Sequence, residues 1–157
     1  MNHTDIYQPV HTLFEAVAAA RAGEVALVCG AEALTYAELN RRANRLAHYL
    51  RALGVQPGDP VGLSIRRSAH MVVGMLGILK AGAGYVPLDP TFPMERLSFM
   101  LEDSAPEVIL ALSEAEDRLP ARVGQVVLLD VDAERIAACP DTNPPLEITA
   151  ESLFNII

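Results

Sequence analysis

Two adjacent arginines are the residues of this chain whose type and position best suit the binding of an anion. Arg66 and Arg67 follow the apolar, strand-like segment Val61–Ile65 and precede a segment that begins like a helix. In open α/β sheets, ligands gather at the carboxyl ends of strands, and the N-terminal end of a helix attracts negative charge. The pair predicts either an anion site or, as we favour, hydrogen bonds to nearby carbonyl groups or a surface acid, because exposed arginines are common.

Serine hydroxyls and one glycine-rich turn are the other groups that could belong to a catalytic or nucleotide-binding motif. The sequence contains no G-x-S-x-G nucleophile motif and no GxxxxGK[ST] phosphate loop. Gly82-Ala83-Gly84 follows a helical segment and precedes a strand, which is the reverse of the order in a dinucleotide-binding loop, so it predicts a helix end and a turn. The serines considered have no obvious histidine base: Ser64, Ser68, Ser98 and Ser104.

Cysteine and histidine spacing gives little support for disulfide or metal chemistry. Cys29 and Cys139 lie far apart without a CxxC motif, so we interpret both as reduced thiols. The histidines form no HxxH or HExxH spacing that would predict a metal site: His3, His11, His48 and His70.

Composition and charge define the broad class of protein. The chain has 157 residues, 51% hydrophobic and 20% charged, which is typical of a folded domain. A formal net charge of −8 argues against nucleic-acid binding, which normally requires a basic patch. The N-terminus lacks the pattern of a signal peptide, and the longest apolar run, Met71–Leu79, is shorter than the roughly 20 residues of a membrane span. We therefore expect a soluble, cytoplasmic protein that binds neither nucleic acid nor membrane.

Four helices are predicted, and two of them have clear start signals. Thr35 and Glu38 have the spacing of a capping box, and the helix they begin runs to about Leu53 with an apolar stripe at Leu39, Ala43, Leu46 and Leu50. We expect the arginines off this stripe to form a solvated face: Arg41, Arg42, Arg45 and Arg51. Shorter helices are predicted at His11–Ala20 and from Pro93 to about Glu102.

The second well-marked helix begins after Ser68 and ends before Gly82. Gly74 and Gly77 lie on nearly the same face, where missing side chains let the helix approach a neighbouring backbone. Lys80 is interpreted as a lysine at the C-terminal end of the helix, where the helix dipole favours a positive charge.

Strand-like segments alternate with these helices, and the connections are long enough for parallel crossovers. The proline in Tyr85–Leu88 indicates a short strand or one near the sheet edge. The sequence therefore predicts an α/β fold with a mostly parallel sheet and crossover helices. The predicted strands are Val25–Cys29, Val61–Ile65, Tyr85–Leu88, Glu107–Leu112 and Val126–Leu129, while Cys139–Pro145 is loop-like and Leu153–Ile157 is strand-like.

Two segments resemble the first two core motifs of the adenylation domains of nonribosomal peptide synthetases. Leu34-Thr35-Tyr36-Ala37-Glu38-Leu39 is similar to the first motif. The run from Leu79 to Pro90, LKAGAGYVPLDP, is similar to the second, with Gly84 where alanine is the commoner residue. Phe92–Leu97 and Asp103–Pro106 also fit, and the resemblance covers nearly the whole chain.

This resemblance implies a fold and an activity. The family, a branch of the acyl- and aryl-CoA ligase superfamily, has a large α/β subdomain and activates an amino acid with ATP and Mg²⁺. The aminoacyl adenylate then transfers its acyl group to the phosphopantetheine thiol of a peptidyl carrier protein. The implied partners are the remainder of the adenylation domain, in the same or a separate chain, the carrier protein and the amino-acid substrate.

The resemblance also predicts how much of that domain this chain contains. Residues 1–10 are expected to be a lead-in, and residues 11–157 the N-terminal portion of the domain, ending just before the phosphate-binding loop. We therefore assign no catalytic, cofactor-binding or metal-binding residue and expect no activity from the chain alone. Two alternatives stay open: a non-catalytic binding remnant, and part of a related aryl-acid or acyl-CoA ligase.

Overall fold

The computed structural model describes residues 8–121 and 124–145 of the chain. Helices and strands alternate through most of its length, and a 3₁₀-helix, Ser113–Arg118, precedes the last strand. The elements are α1 (Val10–Ala20), β1 (Val25–Cys29), β2 (Glu32–Thr35), α2 (Tyr36–Ala52), β3 (Pro60–Ser64), α3 (Ala69–Lys80), β4 (Gly84–Pro87), α4 (Met94–Ser104), β5 (Val108–Ala111), β6 (Gln125–Leu128) and α5 (Ala133–Ala137).

A four-stranded parallel sheet forms the centre of the fold, with the strand order β4-β3-β5-β6. The register pairs Val61 of β3 with Tyr85 of β4 and Val108 of β5, and Val108 in turn pairs with Gln125 of β6. Pro87 lies on β4, an edge strand of this sheet, where a residue without an amide hydrogen is tolerated. The predicted α/β fold with a parallel sheet and crossover helices is confirmed.

The first predicted strand forms with the predicted bounds but lies outside that sheet. β1 instead pairs antiparallel with β2 in a separate two-stranded sheet. The turn between them is short, with Gly30 at a φ of 59°, and Cys29 pairs with Glu32. Val25 and Val28 are exposed, so β1 also lacks the burial on both faces that a strand in a covered parallel sheet has.

The helix boundaries follow the predicted caps. The Thr35 hydroxyl accepts a hydrogen bond from the Glu38 amide at 3.2 Å, and the Glu38 carboxylate accepts one from the Thr35 amide at 2.9 Å. Ser68 caps α3 by accepting from the Met71 amide at 3.3 Å. Gly82, with a φ of 86°, ends α3 as predicted.

The apolar core lies on both faces of the sheet. On one face, α2 and α3 pack on side chains of β3 and β5 such as Val61 and Leu110. On the other, Leu97 and Leu101 of α4 pack against Ile109. The expected close approach of α3 to its neighbours is confirmed, because a Cβ added to Gly77 would lie 2.6 Å from the Leu46 side chain of α2.

Some short elements and the cysteines can also be compared with the predictions. The sequence did not predict β2, the 3₁₀-helix or α5, whereas residues 139–145 form the predicted loop. Cys29 and Cys139 are free thiols, as expected. Among the described residues no helix is long and apolar enough to cross a membrane. The strand predicted at Leu153–Ile157 lies outside the described residues.

Candidate functional site

The arginine pair lies at the carboxyl edge of the parallel sheet, as the sequence predicts. Arg66 and Arg67 are exposed and line a cleft of about 480 Å³. Apolar side chains, among them Met71, Met75 and Tyr85, form much of its wall. Neither guanidinium takes part in an ion pair with another described residue. The surface acid that we favoured as one of their partners is therefore not among the described ion pairs.

A carboxylate in the loop after β4 faces this cleft. Asp89 accepts hydrogen bonds from the hydroxyl of Thr91 at 2.7 Å and from its amide at 2.8 Å. These bonds, with a smaller contribution from the positive charges of Arg66 and Arg96, hold the pKa of Asp89 below its usual value. The Arg96 guanidinium lies 3.9 Å from the centre of the Phe92 ring. Asp89 therefore stabilises its own loop and counters part of the positive charge at the cleft.

A second carboxylate connects the ends of β5 and β6. Asp130, after β6, accepts hydrogen bonds from the Ser113 hydroxyl at 2.5 Å and the Ser113 amide at 3.1 Å. Hydrogen bonding by Ser113 lowers the pKa of Asp130. Both carboxylates at this edge are thus already hydrogen-bonded to groups of the chain, which suits an architectural role.

The serines considered as nucleophiles are used in other ways. The Ser68 hydroxyl caps α3 and donates to the Arg66 carbonyl at 2.9 Å, and Ser104 donates to the Met100 carbonyl at 2.6 Å. The Ser64 hydroxyl is buried at the end of β3 without a hydrogen-bond partner among the described residues. Among the described residues, neither the Ser68 hydroxyl nor the Ser104 hydroxyl is hydrogen-bonded to an imidazole.

Lys80 forms a buried ion pair, which corrects the interpretation of this lysine as a charge favoured mainly by the helix dipole. Its side chain is 0% exposed, although it lies in the last turn of α3. The ammonium donates to the Glu15 carboxylate of α1 at 2.5 Å and to the Asn143 side-chain oxygen at 3.2 Å. Burial lowers the pKa of Lys80, and the Glu15 hydrogen bond and charge oppose that effect.

The Asn143 side-chain oxygen connects its own loop to two helices, α2 and α3. Besides Lys80 of α3, it accepts hydrogen bonds from the side-chain amides of Asn40 and Asn44 of α2, each at 3.1 Å. Further side chains of α2 bind the backbone of the same loop: Asn44 to the Asp141 carbonyl at 2.8 Å, His48 to the Thr142 carbonyl at 2.9 Å and Arg51 to the Pro145 carbonyl at 3.2 Å. We call Glu15, Lys80 and Asn143 the Lys80 cluster.

The arginines of α2 take part in the same attachment rather than forming only a solvated face. Arg45 lies 3.9 Å from the Asp141 carboxylate, and Arg42 forms a 3.0 Å ion pair with Glu32 of β2. One surface of α2 is therefore attached both to the β1–β2 sheet and to the loop 139–145.

Carboxylates and other metal-ligating side chains do not cluster among the described residues. Within residues 8–121 and 124–145, no group of three or more His, Cys, Asp or Glu side chains could hold a metal ion. Asp89 and Asp130 already accept hydrogen bonds from Thr91 and Ser113.

Comparison with known proteins assigns the chain to a family. The model of the family described as AMP-binding enzyme matches residues 14–156. The chain belongs to the AMP-binding enzyme family. This confirms the resemblance drawn from Leu34–Leu39 and Leu79–Pro90.

Relatives within the AMP-binding family include large synthases. The chain is 45% identical over 160 residues to one of the subunits of linear gramicidin synthase of Brevibacillus parabrevis, a match that covers 99% of this chain and 2% of the relative. It is 43% identical over 151 residues to chondramide synthase cmdD of Chondromyces crocatus, covering 94% of this chain and 4% of the relative. The chain thus spans only a few per cent of these relatives.

Solved structures of AMP-binding family members share the fold. A structure of the nonribosomal peptide synthetase FmoA3 in its AMPPNP-bound form has a TM-score of 0.86 and 29% identity, covering 99% of this chain and 17% of that one. The N-terminal domain of FACL13 from Mycobacterium tuberculosis has a TM-score of 0.86 and 26% identity, covering 95% of this chain and 41% of that one. The parallel sheet and its helices therefore have the fold of the N-terminal part of such enzymes.

The structure also shows what the residues of the second motif do. Its Lys80 is buried in the Lys80 cluster, and its Asp89 orders the loop that follows β4. Glu15 and Asn143 were not found from the sequence, because they lie 65 and 63 residues from Lys80 and carry no local pattern. In the sequence, the burial of Lys80 is indicated only by the apolar residues around it on α3.

Proposed function

We propose that this chain is part of an amino-acid-activating adenylation domain of a nonribosomal peptide synthetase. The observation that carries the proposal is the 45% identity to the linear gramicidin synthase of Brevibacillus parabrevis over 99% of this chain. The similarity to FmoA3, whose structures include an AMPPNP-bound form and an α-methyl-L-serine-AMP bound form, supports it.

The proposed reaction has two steps. The carboxylate of the amino acid attacks the α-phosphate of ATP, pyrophosphate leaves, and an aminoacyl adenylate forms. The thiol of a carrier-protein phosphopantetheine then takes the acyl group, and AMP leaves. Mg²⁺ and protein cations stabilise the charge on the transferring phosphoryl group in such reactions.

The role of this chain in the proposed domain is architectural. We infer that it supplies the N-terminal portion, with residues 11–157 in the domain and residues 1–10 as a lead-in. Its own side chains cap helices, connect the ends of β5 and β6 and hold the loop 139–145 in place. We assign no catalytic residue among them. ATP, Mg²⁺ and the amino acid are bound, in this proposal, by residues beyond this chain.

A related acyl-CoA ligase is the second candidate, because a structure of a fatty acyl CoA synthetase of Mycobacterium tuberculosis has a TM-score of 0.81 over 89% of this chain and 30% of that one. Its identity to this chain is 26%, against 45% for the linear gramicidin synthase. The higher identity favours an amino acid over a fatty acid as the substrate.

The test replaces the matching segment of an adenylation domain of that linear gramicidin synthase with this chain. ATP–pyrophosphate exchange is then measured against a panel of amino acids, aryl acids and fatty acids, with the unaltered domain as the positive control. We expect amino-acid-dependent exchange from the hybrid and none from the isolated chain.

Other outcomes would exclude the proposal in different ways. Exchange by the isolated chain would show that it contains catalytic residues. Activity restored by this chain in a fatty acyl-CoA synthetase host, but not in the linear gramicidin synthase host, would favour the related ligases. A folded hybrid that is inactive with every acid would favour a non-catalytic binding remnant.

A further inference from the structure

The Lys80 cluster joins parts of the chain that are far apart in sequence. Lys80 is the last residue of α3, Glu15 lies on α1, and Asn143 lies in the loop after α5. The ammonium is enclosed, with a side-chain exposure of 0%, while the Glu15 side chain is 21% exposed. A buried ammonium without acceptors would be strongly unfavourable, so its three donor hydrogens constrain the groups around it.

The loop 139–145 depends on side-chain contacts for its position. It contains neither helix nor strand, and Asn143 is its one side chain that receives hydrogen bonds from two helices, α2 and α3. The bonds from Asn40 and Asn44 are between neutral groups, each at 3.1 Å, whereas the 3.2 Å bond from Lys80 carries the charge of the ammonium. Lys80 reaches the loop from α3, so it attaches the loop to a second helix besides α2.

This loop connects the described body of the protein to the residues that follow it. The match to the AMP-binding family continues through those residues to position 156. In the proposed adenylation domain, the position of the loop sets the place from which the chain continues.

We propose that Lys80 is a positioning residue for adenylation: through Asn143 its buried ammonium holds the loop 139–145 on α2 and α3. The proposal rests on the proposed function and adds a role for the lysine of the second motif. It differs from a purely stabilising ion pair, which would need Glu15 but not Asn143.

The first test measures loop mobility in the full 157-residue chain by ¹⁵N NMR relaxation. Lys80→Met is combined with Glu15→Leu, so that no unpaired charge stays buried and folding is retained. Order parameters of Thr142 and Asn143 are expected to fall below the value of about 0.85 that is typical of a rigid backbone, while those of α3 stay unchanged. Unchanged order in the loop would overturn the proposal.

Two further variants separate the loop contact from the ion pair. Asn143→Leu removes the acceptor that Lys80 shares with Asn40 and Asn44 and leaves Glu15 and Lys80 intact, so it should loosen the loop at least as much as the double variant does. Asn143→Asp keeps an acceptor for all three donors and should keep the loop rigid. Arg21→Met is the matched charge control, because it removes a cation from an exposed pair with Glu24. Loosening by Arg21→Met or by Asn143→Asp would contradict the proposal.

The second test uses the hybrid adenylation domain. We expect Lys80→Met/Glu15→Leu and Asn143→Leu each to lower kcat for ATP–pyrophosphate exchange about tenfold or more, with an unfolding midpoint close to that of the unsubstituted hybrid. Asn143→Asp should retain at least half of kcat. A mobile loop with undiminished kcat would overturn the positioning role alone, whereas an inactive unsubstituted hybrid would overturn the proposed function and this inference together.

Discussion

His11 shows how a single buried residue responds to the charges around it. The side chain is 5% exposed on α1, and its Nδ1 has no hydrogen-bond partner among the described residues. Burial lowers the pKa of His11, the Glu15 carboxylate raises it, and the Lys80 ammonium lowers it further. The net direction is downward, so the folded protein favours the neutral imidazole.

This direction predicts a loss of stability in mild acid. With the folded pKa of His11 below the unfolded value of about 6.5, the unfolded chain binds more protons once the pH falls below that value. The free energy of unfolding should therefore decrease as the pH is lowered from 7.5 to 5.5, and His11→Gln should flatten the decrease. Urea titrations at three pH values measure it. His70→Gln, at an exposed position, is the control, and parallel curves for His11→Gln and the parent would contradict the prediction.

At the scale of elements, the capping box of α2 gives the most direct prediction. Thr35→Ala removes the hydroxyl that accepts from the Glu38 amide. We expect a loss of about 1 kcal/mol in the free energy of unfolding, the usual effect of deleting such a cap. Thr12→Ala makes the same chemical change at an exposed position within α1 and should have a smaller effect. Urea denaturation compares them, and equal losses would show that the cap contributes nothing specific.

The contact between α2 and α3 depends on a missing side chain. A Cβ at Gly77 would lie 2.6 to 3.0 Å from three atoms of Leu46, one of them the Leu46 Cβ. Because that atom cannot rotate away, Gly77→Ala should force the helices apart and destabilise the protein by about 1–3 kcal/mol. Gly23→Ala is the control, since no atom of the described part of the chain lies within 4 Å of its added Cβ. A Gly77→Ala variant as stable as Gly23→Ala would show that the interface can adjust.

Sequence reasoning succeeded for elements whose signals are local. The Thr35 and Glu38 spacing and the Ser68 cap gave the starts of α2 and α3, and Gly82 gave an end, because each depends on residues a few positions apart. It located β1 but not the sheet that β1 joins, because strand composition does not reveal a strand's partner. The short turn that pairs β1 with β2 has only Gly30 as a signal, and α5 is too short to show a helical period.

The candidate site was less predictable than the fold. The place of Arg66 and Arg67 followed from strand–helix order, since the carboxyl ends of parallel strands share one edge. The Lys80 cluster did not, because its partners come from α1 and from a loop, and only the folded chain brings them together. Identifying a buried charge requires knowledge of what covers it, which local patterns lack.

At the scale of the whole molecule, strand β5 contributes fully buried side chains to both apolar clusters. Leu110 of β5 points into the cluster beneath α2 and α3, and Ile109 points into the cluster beneath α4. Both side chains are 0% exposed. Because adjacent residues of a strand face opposite sides, loss of β5 would disrupt both clusters at once.

This arrangement predicts a single cooperative unfolding transition. Leu110→Ala in the first cluster and Leu97→Ala in the second should each lower the free energy of unfolding by about 2–5 kcal/mol. In a urea titration followed by methyl NMR, the signals of Ile78 in the first cluster and Ile109 in the second should shift their midpoints together in both variants. Phe99→Ala on the exposed face of α4 should move neither midpoint. If Leu97→Ala moved only the Ile109 midpoint, the two faces of the sheet would be independent folding units, and β5 would not couple them.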